Sequence, residues 1–259
     1  MHSATTVAAV LELRRQGLGA RRIAGRTGLP VATVRDWLAG RVPANYRLGG
    51  VVATCPRCGH QEHAFDRFPP AYVYLLGLYL GDGCISAHAR GVFRLRVFLD
   101  YRYPQIVDHC ESAMRAVMPT SKVSRLVRSG SFPGSTGSSN IEVSSFSKAW
   151  PCLFPQHGPG KKHQRAIELV TWQKQLANRS PGELLRGLIH SDGCRFQNTG
   201  RSWSWPRYAF NNQSAGILRI FCDACDALDL HWTTSGRHTI YVSRKADVAR
   251  LDGFIGPKR

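Results

Sequence analysis

Acidic residues are scarce in this chain: 17 Asp and Glu stand against 35 Lys and Arg, leaving a formal charge of +18 at pH 7. A deficit of that size implies a polyanionic partner, with nucleic acid first and a ribosomal or anionic membrane surface as the blander choices. Long apolar runs are missing too. None approaches the roughly 20 residues that span a bilayer, and the basic residues are spread along the chain rather than gathered on one amphipathic helix. No membrane partner is expected. The opening MHSATTVAAVLELRRQG breaks into charge before an export signal could form, so a cytoplasmic location is expected. The eight cysteines would then sit in a reducing compartment and not form disulfides. Hydrophobic residues are not scarce. At 43% of 259 residues they make a globular protein the default over disorder, and the length allows one mid-sized domain plus a small appendage or two modest domains.

Residues 4–40 read as three short helices. Val7, Val10, Leu11 and Leu13 form the stripe of the first, and Gly17 and Gly19 break it. Ile23 and Ala24 lie inward on the second, which Gly28 ends. Val34, Trp37 and Leu38 face inward on the third, which stops at Gly40. The string GLGARRIAGRTGLPVATVRDWLAG resembles the helix-turn-helix of resolvases, transposases and sigma-type regulators, whose last helix enters the major groove. That resemblance points Thr33, Arg35 and Asp36 at bases and Arg21, Arg22 and Arg26 at phosphates. The plain alternative is a three-helix bundle with a solvated basic face.

Cys55-Pro-Arg-Cys58-Gly59 has the spacing of a zinc knuckle, in which a tight turn sets two thiolates on one ion. Cys55 and Cys58 are the two candidate Zn²⁺ ligands, and His60 and His63 are the nearest candidates to complete the set. Two buried thiols without metal are the alternative.

An internal repeat carries the rest. Residues 75–84 read LLGLYLGDGC and residues 185–194 read LRGLIHSDGC. The likeness continues: RLRVFL from Arg94 lies over RYAFN from Arg207, Cys110 matches Cys222 in a following helix, and IEVS from Ile141 matches IYVS from Ile240. Both copies run helix, two strands, helix, two strands, helix. Gly77 with Gly81, and Gly187 with Ser191, fall four apart on one helical face, where small residues let two helices touch. Asp82 and Asp192 are left at the two carboxyl ends, where the helix macrodipole is already negative. Pairing the helices adds like-charge repulsion, which a divalent cation between the acids would relieve.

The repeat resembles the LAGLIDADG, or DOD-type, homing endonucleases. The resemblance implies an α+β fold: two pseudo-symmetric αββαββα halves with antiparallel, saddle-shaped sheets over DNA, here preceded by a small helix-turn-helix domain. The expected organisation is 1–47 helix-turn-helix, 48–69 linker with the CxxC turn, 70–156 first half, 157–180 basic inter-repeat linker, and 181–259 second half. Carried over by position, Asp82 and Asp192 would hold Mg²⁺ or Mn²⁺ for phosphodiester hydrolysis. The family's late basic residue falls near Lys148 in one half and Lys245 in the other. Where the family name has its sixth-letter Asp, this chain has Leu80 and His190.

The remaining basic positions expected on DNA are Arg94, Arg96, Arg201 and Arg207 on the sheets, with Lys161, Lys162 and Arg165 in the linker. Trp203, beside Arg201, is either part of that surface or a packing plug. The loop Ser129–Ser139 is flexible by composition and expected to pass the sheet edge. Two functions stay open. One is a site-specific, metal-dependent double-strand DNA endonuclease of the homing type, acting as a single-chain monomer. The other is a non-cleaving DNA-binding transcriptional regulator on the same fold.

Overall fold

The computed structural model describes residues 2–43, 46, 55–59, 63–129, 139–256 and 258. His60 and most of the 129–139 loop therefore lie outside the described residues. The chain divides into two compact units, Met1–His63 and Ala64–Arg259.

The first unit carries α1 (Ala4–Arg15), α2 (Ala20–Thr27) and α3 (Val31–Leu38). Ser3 caps α1 by accepting from the Thr6 amide, which satisfies one orphan donor of its first turn. Gly28 ends α2 with a left-handed φ of 66°, so the chain reverses into Pro30 and α3. Val7, Val10, Ile23, Ala24, Val34 and Trp37 make one buried core from all three helices.

The second unit is α+β, built from two four-stranded antiparallel sheets and the helices packed on them. Its first half runs α4 (Pro70–Leu80), β1 (Gly83–Ala87), β2 (Phe93–Asp100), α5 (Pro104–Val117), β3 (Val123–Ser129), β4 (Ser139–Ser147) and a short α6 (Trp150–Leu153). After an inserted α7 (Thr171–Arg179), the second half runs α8 (Pro181–Asp192), β5 (Gly193–Thr199), β6 (Ser204–Asn211), α9 (Ala215–Asp226), β7 (Trp232–Ser235), β8 (Thr239–Val242) and α10 (Lys245–Ile255). The sheet orders match: β1-β2-β4-β3 and β5-β6-β8-β7. Prolines at the first turns of α4 and α8 preset the helical φ where no amide partner is lost.

Both sheets bury one face. On β2 the alternation leaves Leu95, Val97 and Leu99 inside and Arg94, Arg96 and Phe98 on the other side. Pairing fixes how the halves correspond. Gly83 faces Val97, which faces Val143, while Gly193 faces Phe210, which faces Ile240. Arg94 and Arg207 therefore share a position, as their strings suggest. Ile240, however, corresponds to Val143 and not to Ile141, so the IEVS and IYVS strings are offset by two residues. A two-residue slip keeps every side chain on its face, which is why hydrophobic alternation alone cannot detect it.

Helix α4 is buried all round from Tyr72 to Leu80, as expected of a central helix and not a surface one. Its partner is α8. A Cβ on Gly77 would fall 2.7 Å from the Leu184 carbonyl oxygen and 2.8 Å from the Gly187 Cα. One on Gly187 would collide with the Tyr74 carbonyl oxygen. The two backbones touch at this pair, and no side chain fits between them. Around the pair, Tyr74 Oη donates to His190 Nδ1 (2.9 Å) and His190 Nε2 donates to the Ile255 carbonyl (2.7 Å). Burial drives the His190 pKa down to about 3, so the imidazole is a neutral strut joining α4, α8 and the end of α10.

Candidate active site and nucleic-acid interface

The closeness of α4 and α8 decides where their carboxyl ends lie. Asp82 follows the last turn of α4 and Asp192 is the final residue of α8. A Cβ on Gly81 would fall 2.8 Å from Asp192 Oδ2 and collide with Ser191, so the two tips converge. The consequence is electrostatic. Burial first, and the charge of Asp192 second, push the Asp82 pKa up to about 6, against the opposing pull of Lys258 and Lys162. Burial also raises Asp192, and the hydrogen bond from Asn212 Nδ2 to its Oδ2 (2.6 Å) opposes that. A cavity of about 320 Å³ opens beside Asp192, lined by Gly81, Lys162, Asn211 and Asn212 among others.

Two ammonium groups close the site from behind. Lys162 Nζ donates to the carbonyls of Tyr79 (2.6 Å), Gly81 (2.6 Å) and Gly83 (2.9 Å). Lys258 Nζ donates to the carbonyls of His190 (3.0 Å) and Ser191 (2.7 Å). Each lysine takes up orphan carbonyls at one helix end and places a cation against the negative end of its dipole. Burial lowers both, Lys162 to about 8, while the two acids pull the other way. At about 8, Lys162 remains mostly protonated at neutral pH.

This corrects three expectations. Lys162 is not an exposed phosphate contact, because all three of its donors are aimed at α4 and β1. Lys148 and Lys245 are exposed, and the cations acting on the acids are Lys162 and Lys258 instead. Arg165 is a brace, its Nη1 donating to the Gln156 carbonyl at 2.8 Å beside Gly158. No sequence pattern singles out Lys258 or Asn212. Neither belongs to the repeated strings, and what recruits them is the position of α8 and not their neighbours in sequence.

The outward sheet faces differ between halves. On the first, Arg94, Arg96, Phe98, Arg128, Ser144 and Phe146 surround Glu142, whose side chain is 0% exposed. Arg94 lies 2.6 Å and Arg128 2.9 Å from its carboxylate oxygens, so these two guanidiniums are held in a fixed fork. Arg96 leans over the Phe98 ring at 5.7 Å. On the second face, register puts Ala209 where the first has Arg96, Thr239 where it has Glu142, and Tyr241 where it has Ser144. Arg207 lies over Tyr241 at 4.7 Å. Trp205 and Phe196 stand exposed beside them, and Arg201 is exposed on the β5–β6 turn. Trp203 folds back on that hairpin: a Cβ on Gly200 would collide with its indole. Lys161 is exposed in the linker.

In the first unit, Arg21, Arg22, Arg26 and Arg35 are exposed and Thr33 is half-buried. Asp36 forms an exposed ion pair with Arg41 at 2.8 Å. No helix among the described residues is long and apolar enough to cross a membrane.

No family model matches the chain, and no curated protein does. Solved structures do. The homing endonuclease I-WcaI bound to its DNA recognition sequence is similar over 74% of this chain and 83% of its own, at 12% identity and a TM-score of 0.47. The N-terminal LAGLIDADG domain of DUF199/WhiA is similar over 75% of this chain and 89% of its own, at 14% identity and a TM-score of 0.45. The LAGLIDADG meganuclease I-AabMI bound to uncleaved DNA is similar over 71% of this chain and 82% of its own, at 10% identity and a TM-score of 0.39.

Proposed function

We propose that this protein is a site-specific, divalent-metal-dependent endonuclease of the homing type that cuts both strands of double-stranded DNA as a single-chain monomer. The observation that carries the reading is the convergence of Asp82 and Asp192. Burying two carboxylates together at two helix ends of negative polarity opposes both desolvation and Coulomb terms, and such arrangements concentrate at functional sites. The donor set fits Mg²⁺ or Mn²⁺: carboxylate oxygens from each half, with room for waters beside Asp192. When bound, such an ion neutralises charge on the scissile phosphate and lowers the pKa of a water.

The chain's own residues do the rest. Asp82 and Asp192 hold the metal, one acid from each half. Lys162 pins the carbonyl end of α4 and the first residue of β1, Lys258 pins the carbonyl end of α8, and together they fix where the carboxylates point. Asn212 sets the rotamer of Asp192 through its 2.6 Å bond. Arg94, Arg96, Arg201 and Arg207 face the duplex from the sheets and Lys161 from the linker. Thr33 and Arg35 read bases from α3 while Arg21 and Arg22 meet phosphates. The net charge of +18 supplies the sequence-independent part of the affinity.

A second reading has its own support. Lys162 and Lys258 already place two positive charges against the two acids, so the pair is partly compensated without any added cation. That balance suits a non-cleaving DNA-binding regulator. The two readings separate in one assay. DNA selected by the protein from a random pool is incubated with Mg²⁺ or Mn²⁺ and wild type or the double variant Asp82→Asn, Asp192→Asn. Strand scission by wild type alone supports the nuclease. Selective binding without scission on any selected sequence supports the regulator.

A further inference from the structure

The DNA site leaves the Cys55–Cys58 knuckle unused. Its backbone is a closed turn: Gly59 has a left-handed φ of 70° and its amide donates to the Cys55 carbonyl at 2.8 Å. Cys58 is buried and Cys55 half-buried. His63 Nε2 lies 3.3 Å from Cys58 Sγ. The ligand atoms of Cys55, Cys58 and His63 all lie within 4.8 Å of one another. A tetrahedral zinc ion, with Zn–S near 2.3 Å and Zn–N near 2.0–2.1 Å, sets ligand–ligand edges of roughly 3.5–3.8 Å. The three groups therefore stand where an ion needs to draw them by about an ångström or less.

The chemistry and the setting agree with this geometry. Two thiolates and a neutral imidazole balance the charge of a dication, and such soft donors select zinc over magnesium. Among the described residues, the helical core of this unit includes none from 55 to 63.

We propose that Cys55, Cys58 and His63 hold a structural Zn²⁺ ion that fixes the carboxyl-terminal stretch of the first unit. Each thiol releases its proton to solvent on binding, and no electron changes hands. Water fills the fourth position.

The test uses the full chain and needs no DNA, so it stands or falls separately from the nuclease reading. Protein dialysed into metal-free buffer is measured for zinc by plasma mass spectrometry and titrated with a competing chromophoric chelator. Wild type should retain about one zinc per chain, and Cys55→Ser with Cys58→Ser should retain almost none. His63→Ala should weaken zinc by about tenfold or more, whereas His63→Cys, which supplies another good ligand, should hold it. Should the serine variant fail to fold, Co²⁺ added to chelator-stripped wild type gives the same answer through thiolate-to-metal absorption. Wild type that holds no zinc and shows no such band overturns the proposal. So does a Cys55–Cys58 disulfide found by mass spectrometry in freshly isolated protein.

Discussion

Asp82 is the residue at which stability and proposed chemistry pull hardest against each other. Its folded pKa of about 6 stands above the ordinary 3.8, so the folded state binds the proton more tightly than the unfolded chain. The carboxyl accordingly costs the fold nothing below pH 4, costs progressively more between pH 4 and pH 6, and imposes its full penalty above that. Asp82→Asn should raise stability by about 1–3 kcal/mol at pH 8 in metal-free buffer, and by almost nothing at pH 4. Urea denaturation at both pH values checks this, and a loss of stability at pH 8 would contradict it. Lys161 and Lys162 make the complementary pair. Lys162→Ala leaves carbonyls and two acids without their cation and should cost about 3–5 kcal/mol. Lys161→Ala should leave the unfolding midpoint almost unchanged and lower the salt slope of DNA binding by about one. In sequence the two lysines are indistinguishable members of a basic run. What separates them is a set of carbonyl acceptors some 80 positions away in the chain, which no local pattern announces.

At the scale of elements, the α4–α8 contact organises everything else. Gly77 and Gly187 face backbone on the partner helix and not a flexible side-chain end, so nothing can yield to an added methyl. Gly77→Ala or Gly187→Ala should destabilise by about 3 kcal/mol or more. Gly25 in α2 has nothing within 4 Å of where a Cβ would stand, and Gly25→Ala should gain up to about 1 kcal/mol from helix propensity. Thermal unfolding of the three variants tests the contrast. This contact was legible in the sequence because close approach of two helices demands small residues, and the demand is written twice at the same spacing. The order of strands and helices was legible for the same reason. The partners of the site were not. Lys258 and Asn212 enter through tertiary placement, and the offset of β8 against β4 hides behind an alternation that survives a two-residue slip.

For the whole molecule, the outward sheet faces of the two repeated halves differ. The first presents Arg94, Arg96 and Arg128 around Glu142, and the second has Arg207 among Trp205, Phe196, Tyr241 and Thr239. Arginine favours the O6 and N7 acceptors of guanine, while aromatic and threonine side chains suit the thymine methyl. Under the proposed function, the two half-sites should differ, and Arg96→Ala should relax the preference in one half by about 1–3 kcal/mol and leave the other intact. Selection from a random pool with wild type and variant measures this directly, and an equally palindromic site for both would contradict it. Affinity should also fall by about 10³-fold or more between roughly 50 and 200 mM salt. The central claim is that two converging acids, one from each half, cut DNA. Its most direct measurement is strand-resolved scission of a selected target with Mg²⁺ by wild type, Asp82→Asn, Asp192→Asn and the double variant, each bound at saturation. Cutting of both strands by wild type, impaired cutting by each single variant, and binding without any cutting by the double variant is the expected result. Undiminished scission by the double variant, or none by wild type on DNA that it binds selectively, would contradict it.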